Sequence, residues 1–436
     1  MKEFVILGAG TAGTIMANKL ARALPAREWR ITVVDRDDHH AYQPGFLFVP
    51  FHGYEPSDIV RSRRRYLDRR VLFAEALVER IAPDQRRVYL KGGRVLSYDF
   101  LIIATGTRPE PAQNEGMLGA EWHKSVGEFY TLAGCTALRR QLDGFKGGRL
   151  VVHISEMPIK CPVAPLEFAF LADAYFRAKG MREKVEIDYV TPLSSAFTKP
   201  KAAEALGGFL DARRIHLTPD FALARVDQEA KKIVSWDERE VPYDLLVTVP
   251  TNMGDPVIGS SGLGDELNYV PTDRHTLLSK AAPNIFALGD ATDLPASKAG
   301  SVAHFQADIL FENIRSVIAG RAPEAGFDGH ANCFIETGDG KALLIDFSYE
   351  VEPLPGHFPL PFIGPLSLLK ESRLNHFGKL MFKWVYWNLL LPARLPAVGT
   401  HFSMLGKRPG PISPIQSPPP SPPPSTPQLH EYSHHQ

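Results

Sequence analysis

The chain has only three cysteines, Cys135, Cys161 and Cys333, in 436 residues. That is too few for a disulfide framework, and thiols spaced this widely are more often buried or catalytic than cross-linked. Long apolar runs are missing as well: no window reaches the roughly eighteen uninterrupted residues that a membrane-crossing helix needs, so any membrane contact is expected to be peripheral. Neither sign of charge is in excess, because 49 Lys and Arg balance 49 Asp and Glu. This removes the electrostatic footprint of a nucleic-acid partner. The first residues run from an apolar strand straight into a glycine turn, without the basic stretch, apolar core and small-residue cleavage site of a secretory signal. No cleaved signal peptide and no metal are expected.

What is present is a series of apolar runs ended by glycine. A strand over 4–7 meets Gly8-Ala9-Gly10-Thr11-Ala12-Gly13, a helical run follows to about 24, and a strand over 31–34 closes on Asp35. This is one βαβ unit. A run over 100–104 ends in Thr105-Gly106, and one over 285–288 ends in Gly289-Asp290. A second βαβ unit is predicted from a strand over 150–154, a helix over 165–179 and a strand over 185–190, with another buried strand over 245–249. The pattern predicts an α/β chain with two Rossmann-like doubly wound domains, followed by a C-terminal region for which the resemblance given below implies a membrane interface. The expected divisions are 1–108 and 251–325 for a discontinuous first nucleotide-binding domain, 109–250 for the second Rossmann-like domain, 326–408 for the C-terminal region, and 409–436 for a disordered Pro-rich tail.

Gly8, Gly10 and Gly13 stand between a strand and a helix, where they permit a tight turn, close approach of a pyrophosphate and close helix packing. Asp35 ends the next strand, where a carboxylate can accept hydrogen bonds from a ribose. The glycine fingerprint alone is weak and does not choose between NAD and FAD. Thr105-Gly106 and Gly289-Asp290 resemble the two further motifs of two-dinucleotide-domain flavoproteins. That resemblance implies FAD, with Val78 added to its contacts. The corresponding turn of the second half, Ser155-Glu156-Met157-Pro158-Ile159-Lys160-Cys161-Pro162, has no glycine. Side chains and prolines would obstruct a pyrophosphate there, so a donor other than a nicotinamide nucleotide is expected.

That turn presents Cys161 just before a helix start, where the dipole and free N–H groups are expected to favour a thiolate. The run Cys161-Pro162-Val163-Ala164-Pro165-Leu166-Glu167-Phe168 resembles the motif of sulfide:quinone oxidoreductases. The segment 331–336 around Cys333 is similar to the one that carries the family's second cysteine, and 293–300 to the one that carries a lysine, here Lys298, beside the flavin. The resemblance implies a redox centre of Cys161 and Cys333, Glu167 as proton acceptor, hydrogen sulfide as donor, and a membrane quinone as acceptor near Phe358 and Phe362. It also implies a peripheral position on a membrane surface and leaves a homo-oligomer open. In support of a membrane face, Leu374, Phe377, Leu380, Met381, Trp384, Val385 and Trp387 recur at helical spacing, with Lys370, Arg373, Lys379 and Lys383 among them. Composition alone favours a core or dimer helix for such a stripe. Cys135 reads as core packing, and His39 and His40 as exposed.

Three alternatives stay open. They are the flavin subunit of a flavocytochrome c sulfide dehydrogenase, an NADH:quinone reductase, and a non-catalytic flavin redox sensor whose Pro-rich tail docks a partner.

Overall fold

The apolar runs assemble into two parallel sheets in the computed structural model of the chain, which describes residues 1–324, 326–359, 364–395 and 399–408. The tail 409–436 and Phe362 lie outside the described residues. The first sheet has the order Ile285–Ala287, Phe100–Ile103, Lys2–Leu7, Trp29–Asp35, Val71–Glu75, with every neighbour parallel. Ile6 pairs with Ile102 on one side and Val33 on the other, and Phe4, Ile6, Leu7, Leu101, Ile102 and Ile103 are all fully buried. Continuous apolar runs are what strands covered on both faces require. Chain order reverses between Lys2–Leu7 and Phe100–Ile103, which opens a crevice at their C-terminal ends. Both glycine turns, at Gly8 and at Gly106, emerge there.

Helix α1 (Thr11–Ala23) follows the first turn. The second sheet runs Val126–Gly127, Leu245–Val249, Gly148–Ile154, Val185–Val190, Ile215–Thr218, again all parallel. Its own reversal falls between Gly148–Ile154 and Leu245–Val249, at the turn that carries Cys161. Helix α2 (Ala164–Ala178) leaves that turn. Helix α3 (Gly300–Ile318) returns to the first sheet and packs on α1.

The C-terminal region is a mixed sheet in the order Ala331–Gly338, Lys341–Phe347, Leu366–Leu368, Gly356–Phe358. It is covered on one side by α4 (Arg373–Val385), which is capped by Ser372 and continued by a π-helical turn, Tyr386–Leu390. The strand Ala331–Gly338 also packs against α2. Glu167 and Glu336, 169 positions apart in sequence, are thereby brought side by side. Among the described residues, no helix is long and apolar enough to cross a membrane.

Candidate active site

Gly8 has φ +96°, and a Cβ there would stand 2.3 Å from the carbonyl oxygen of Ala104. A Cβ on Gly13 would stand 1.9 Å from the carbonyl oxygen of Gly8. These two glycines let the first strand, the second turn and α1 close on one another. Gly10 and Gly106 instead face open space, as a backbone cradle for a pyrophosphate should. Asp35 reaches the loop: it accepts from the N–H of Ala9 at 2.7 Å and lies 3.1 Å from Arg63. The hydroxyl of Thr105 is buried without a hydrogen-bond partner among the described residues, an orphan that a bound ligand would satisfy. Gly289, at φ +70°, donates its N–H to Gln306 at 2.6 Å, and burial raises the carboxyl of Asp290 against the pull of Lys298 and Lys160. These residues fit a dinucleotide carrying a flavin. Val78 is a partly buried residue that begins the strand Val78–Ala82 and pairs with Leu90.

The glycine-free turn is stitched to this cradle. The N–H of Cys161 donates to the carbonyl of Lys298 at 2.7 Å, and Lys160 donates to Gln43 at 3.0 Å. Lys298 itself donates to the carbonyls of Asp290 (3.0 Å) and Thr292 (2.7 Å) and lies 4.1 Å from the ring of Tyr269. Burial lowers its pKa to about 8, with Asp290 opposing. The backbone of Cys161 is therefore held against that of Lys298.

Cys333 lies on the strand Ala331–Gly338, 9% exposed, and the adjoining carbonyl of Asn332 accepts from Ser301 at the start of α3 at 2.8 Å. Both cysteines are free thiols. Glu167, one turn into α2, is buried and accepts from the N–H of Glu336 at 2.7 Å. Lys379 of α4 donates to the same carboxylate oxygen and, at 3.2 Å, to the carbonyl of Phe334. Burial raises Glu167 to about 7, and Lys379 keeps it from rising further. Burial opposes the charge on Lys379, yet Glu167 and Glu336 hold it above the ordinary lysine range. A second buried carboxylate, Glu336, accepts from Nδ1 of His376 at 2.9 Å.

Three expectations need correction. The thiol of Cys161 is not eased toward thiolate. Burial, then the charges of Glu167 and Cys333, push it well up, and burial and Glu167 push Cys333 up to about 12. Burial, with the nearby carboxylate adding to it, outweighs the helix dipole, whose reach is short. His40 is not exposed: it is 2% exposed, with its ring nitrogens 3.2 Å from the carbonyl of Ala9 and 2.7 Å from the hydroxyl of Tyr386. Only His39 faces solvent. The apolar stripe of α4 also divides. Leu374, Phe377, Leu380, Met381 and Trp384 are exposed, whereas Trp387 is in the core and Lys379 points inward.

Phe358 lines a cavity of about 250 Å³ with Ser301, Phe382, Leu390, Leu395 and His304. Nδ1 of His304 is buried and has no partner among the described residues. Sequence reasoning passed over His304, His376, Glu336 and Lys379. Only the four-residue spacing from Glu371 through Asn375 and Lys379 to Lys383 hinted that one side of α4 is polar. Cys135 is buried, its thiol donating to the carbonyl of Leu132.

Fold and site together define a two-dinucleotide-domain flavoprotein oxidoreductase, and residues 2–154 match the family described as pyridine nucleotide-disulphide oxidoreductase. Within that class the chain is similar to sulfide:quinone oxidoreductases along most of its length. It is 28% identical to the mitochondrial sulfide:quinone oxidoreductase of Mus musculus, covering 89% of this chain and 86% of the relative. It is 25% identical to the one of Schizosaccharomyces pombe, covering 88% and 89%. The solved sulfide:quinone oxidoreductase of Aquifex aeolicus shares the fold, with a TM-score of 0.74 at 19% identity over 89% of this chain and 92% of that one.

Proposed function

We propose that the protein oxidises hydrogen sulfide and reduces a quinone, using Cys161 and Cys333 as its redox pair. The observation that carries this reading is the approach of both thiols to the carboxyl of Glu167, with the N–H of Cys161 bonded to the carbonyl of Lys298, at the end of a nucleotide cradle whose partner turn lacks glycine. In the oxidised protein the two cysteines form a bridge. Hydrosulfide attacks the sulfur of Cys161; a new S–S bond forms there, the bridge breaks, and Cys333 leaves as a thiolate carrying the electron pair. The hydrosulfide proton goes to Glu167, which is poised to accept it near neutral pH. When bound, FAD supplies a two-electron acceptor for that pair and a donor to the quinone. The residues that hold it are Gly8, Gly10 and Gly13 at the pyrophosphate, Asp35 at the ribose, and Thr105, Gly106, Gly289 and Asp290 around the remainder. Lys298, held by the carbonyls of Asp290 and Thr292, would supply positive charge beside the bound flavin.

The apolar cavity beside Phe358 suits a quinone ring, with His304 as the hydrogen-bonding group for one carbonyl. The exposed apolar face of α4 suits the surface of a membrane that holds such quinones. The test is anaerobic mixing of the yellow protein with sulfide and, separately, with NADH. Bleaching by sulfide alone, reversed by a soluble quinone, is expected; bleaching by NADH alone would overturn the proposal.

A further inference from the structure

We infer that Lys160 is a cation held in reserve for the negative charge of reduced flavin, so that its counter-ion comes from the bound cofactor and not from the chain. This rests on the reading of the cradle as an FAD site and does not depend on which donor delivers the electrons. The buried lysines and arginines among the described residues are Lys160, Arg177, Arg182, Arg213 and Lys298. Each arginine has a carboxylate: Arg177 and Arg182 lie 2.9 Å and 2.6 Å from Asp173, and Arg213 lies 2.9 Å from Glu371. Lys298 donates to two backbone carbonyls and stands over the ring of Tyr269. Lys160 is 9% exposed, yet among the described residues its ammonium has no carboxylate within ion-pair distance and one hydrogen bond, to the amide oxygen of Gln43 at 3.0 Å. An ammonium has three donors, so two of them are left for a ligand.

A buried cation without a counter-ion is destabilising, and holding the turn does not account for this one, because the turn is fixed through its backbone. The N–H of Lys160 donates to Oδ1 of Asn252 at 3.2 Å, the N–H of Cys161 to the carbonyl of Lys298 at 2.7 Å, and the hydroxyl of Tyr130 to the carbonyl of Cys161 at 3.2 Å. The surroundings of the side chain belong to the cradle. Gln43 is exposed and opens the short helix Gln43–Leu47. Burial lowers the pKa of Lys160, and Asp290, then Glu128 and Cys161, oppose that shift. Asp290 is shared with Lys298, and Glu128 is engaged by the N–H groups of Tyr130 and Thr131 and by the hydroxyl of Thr131. Neither carboxylate is therefore given over to Lys160. Anionic reduced flavin carries a negative charge that the oxidised ring lacks, and a fixed cation in a site poor in water favours the charged form. Lys160 makes and breaks no covalent bond and keeps its protons; it shifts the equilibrium between oxidised and reduced cofactor.

The test is the two-electron midpoint potential of the full FAD-loaded chain, titrated anaerobically against reference dyes at neutral pH, for the wild type and for K160M, K160Q and K160R. Both neutral variants are expected to disfavour reduction about tenfold or more, which lowers the potential by about 30 mV. K160R keeps the charge and is expected to stay nearer to the wild type than to K160M. Potentials unchanged in both neutral variants would overturn the inference. So would an equal shift in K160R, which would mean that Lys160 acts by packing, or a loss of FAD binding in both neutral variants, which would place Lys160 at the pyrophosphate. If the wild type elutes without flavin, the underlying reading falls first, and that failure is visible before any variant is compared.

Discussion

Glu167 and Lys379 share an ion pair that is largely withdrawn from water. Taking both charges out of solvent is costly, and removing one partner leaves the other uncompensated, typically at about 3–5 kcal/mol. The sign with pH follows from the direction of the shift. Glu167 has a folded pKa raised by burial to about 7, so protonation favours the folded state and the cost of the bare carboxylate is present above that value. K379M removes the group that restrains this rise. Its loss of thermal stability against wild type is expected to be large at pH 8 and to shrink toward pH 5 as the carboxyl protonates, which thermal unfolding across that range would check. A uniform loss at all pH values would mean that Lys379 acts by packing. None of this was legible in the sequence, where a lysine on an amphipathic helix reads as solvated and only the meeting of α2, the Cys333 strand and α4 buries it. His40 was misread for the same reason: its burial depends on Tyr386, 346 residues away. The glycines at 8 and 13 were legible because their constraint is local to one turn and the strand beside it.

Helix α4 has two different faces. Outward it shows Leu374, Phe377, Leu380, Met381 and Trp384; inward it sends His376 and Lys379 to the carboxylates beside the cysteines. The stripe was readable from its spacing, but its extent was not, because the π-helical turn after Val385 rotates Trp387 into the core. The double variant F377S/W384S changes only exposed side chains, so it is expected to fold with a thermal midpoint near that of the wild type. It should lose most of its co-sedimentation with phospholipid vesicles while still reducing a soluble quinone. Unchanged vesicle binding would assign the face to another partner. At this scale the second βαβ unit was also legible, since strand, turn and helix follow one another directly. How this turn is held became visible only with the bond from the N–H of Cys161 to the carbonyl of Lys298.

Across the whole molecule the nucleotide site is assembled from widely separated parts of the chain. The first sheet takes its edge strand from Ile285–Ala287; Gly289, Lys298 and α3 follow from the same late segment, and Tyr386 bonds to Thr11 at 2.7 Å. A fragment ending at residue 284 keeps the whole glycine fingerprint but lacks this closing side. It is expected to retain no flavin through gel filtration, whereas the full chain should elute yellow. A fragment that held flavin stoichiometrically would show that the closing side after residue 284 is dispensable.

The same strand order has a consequence for synthesis. At about 5–20 residues per second, translation separates the strand Phe100–Ile103 from its neighbour Ile285–Ala287 by roughly 10–35 s. During that interval the nascent chain exposes an apolar sheet edge and an open crevice, the kind of surface that invites wrong pairing. A chaperone that shields the edge, or free flavin ready when the last segment emerges, would then decide yield more than the stability of the finished protein does.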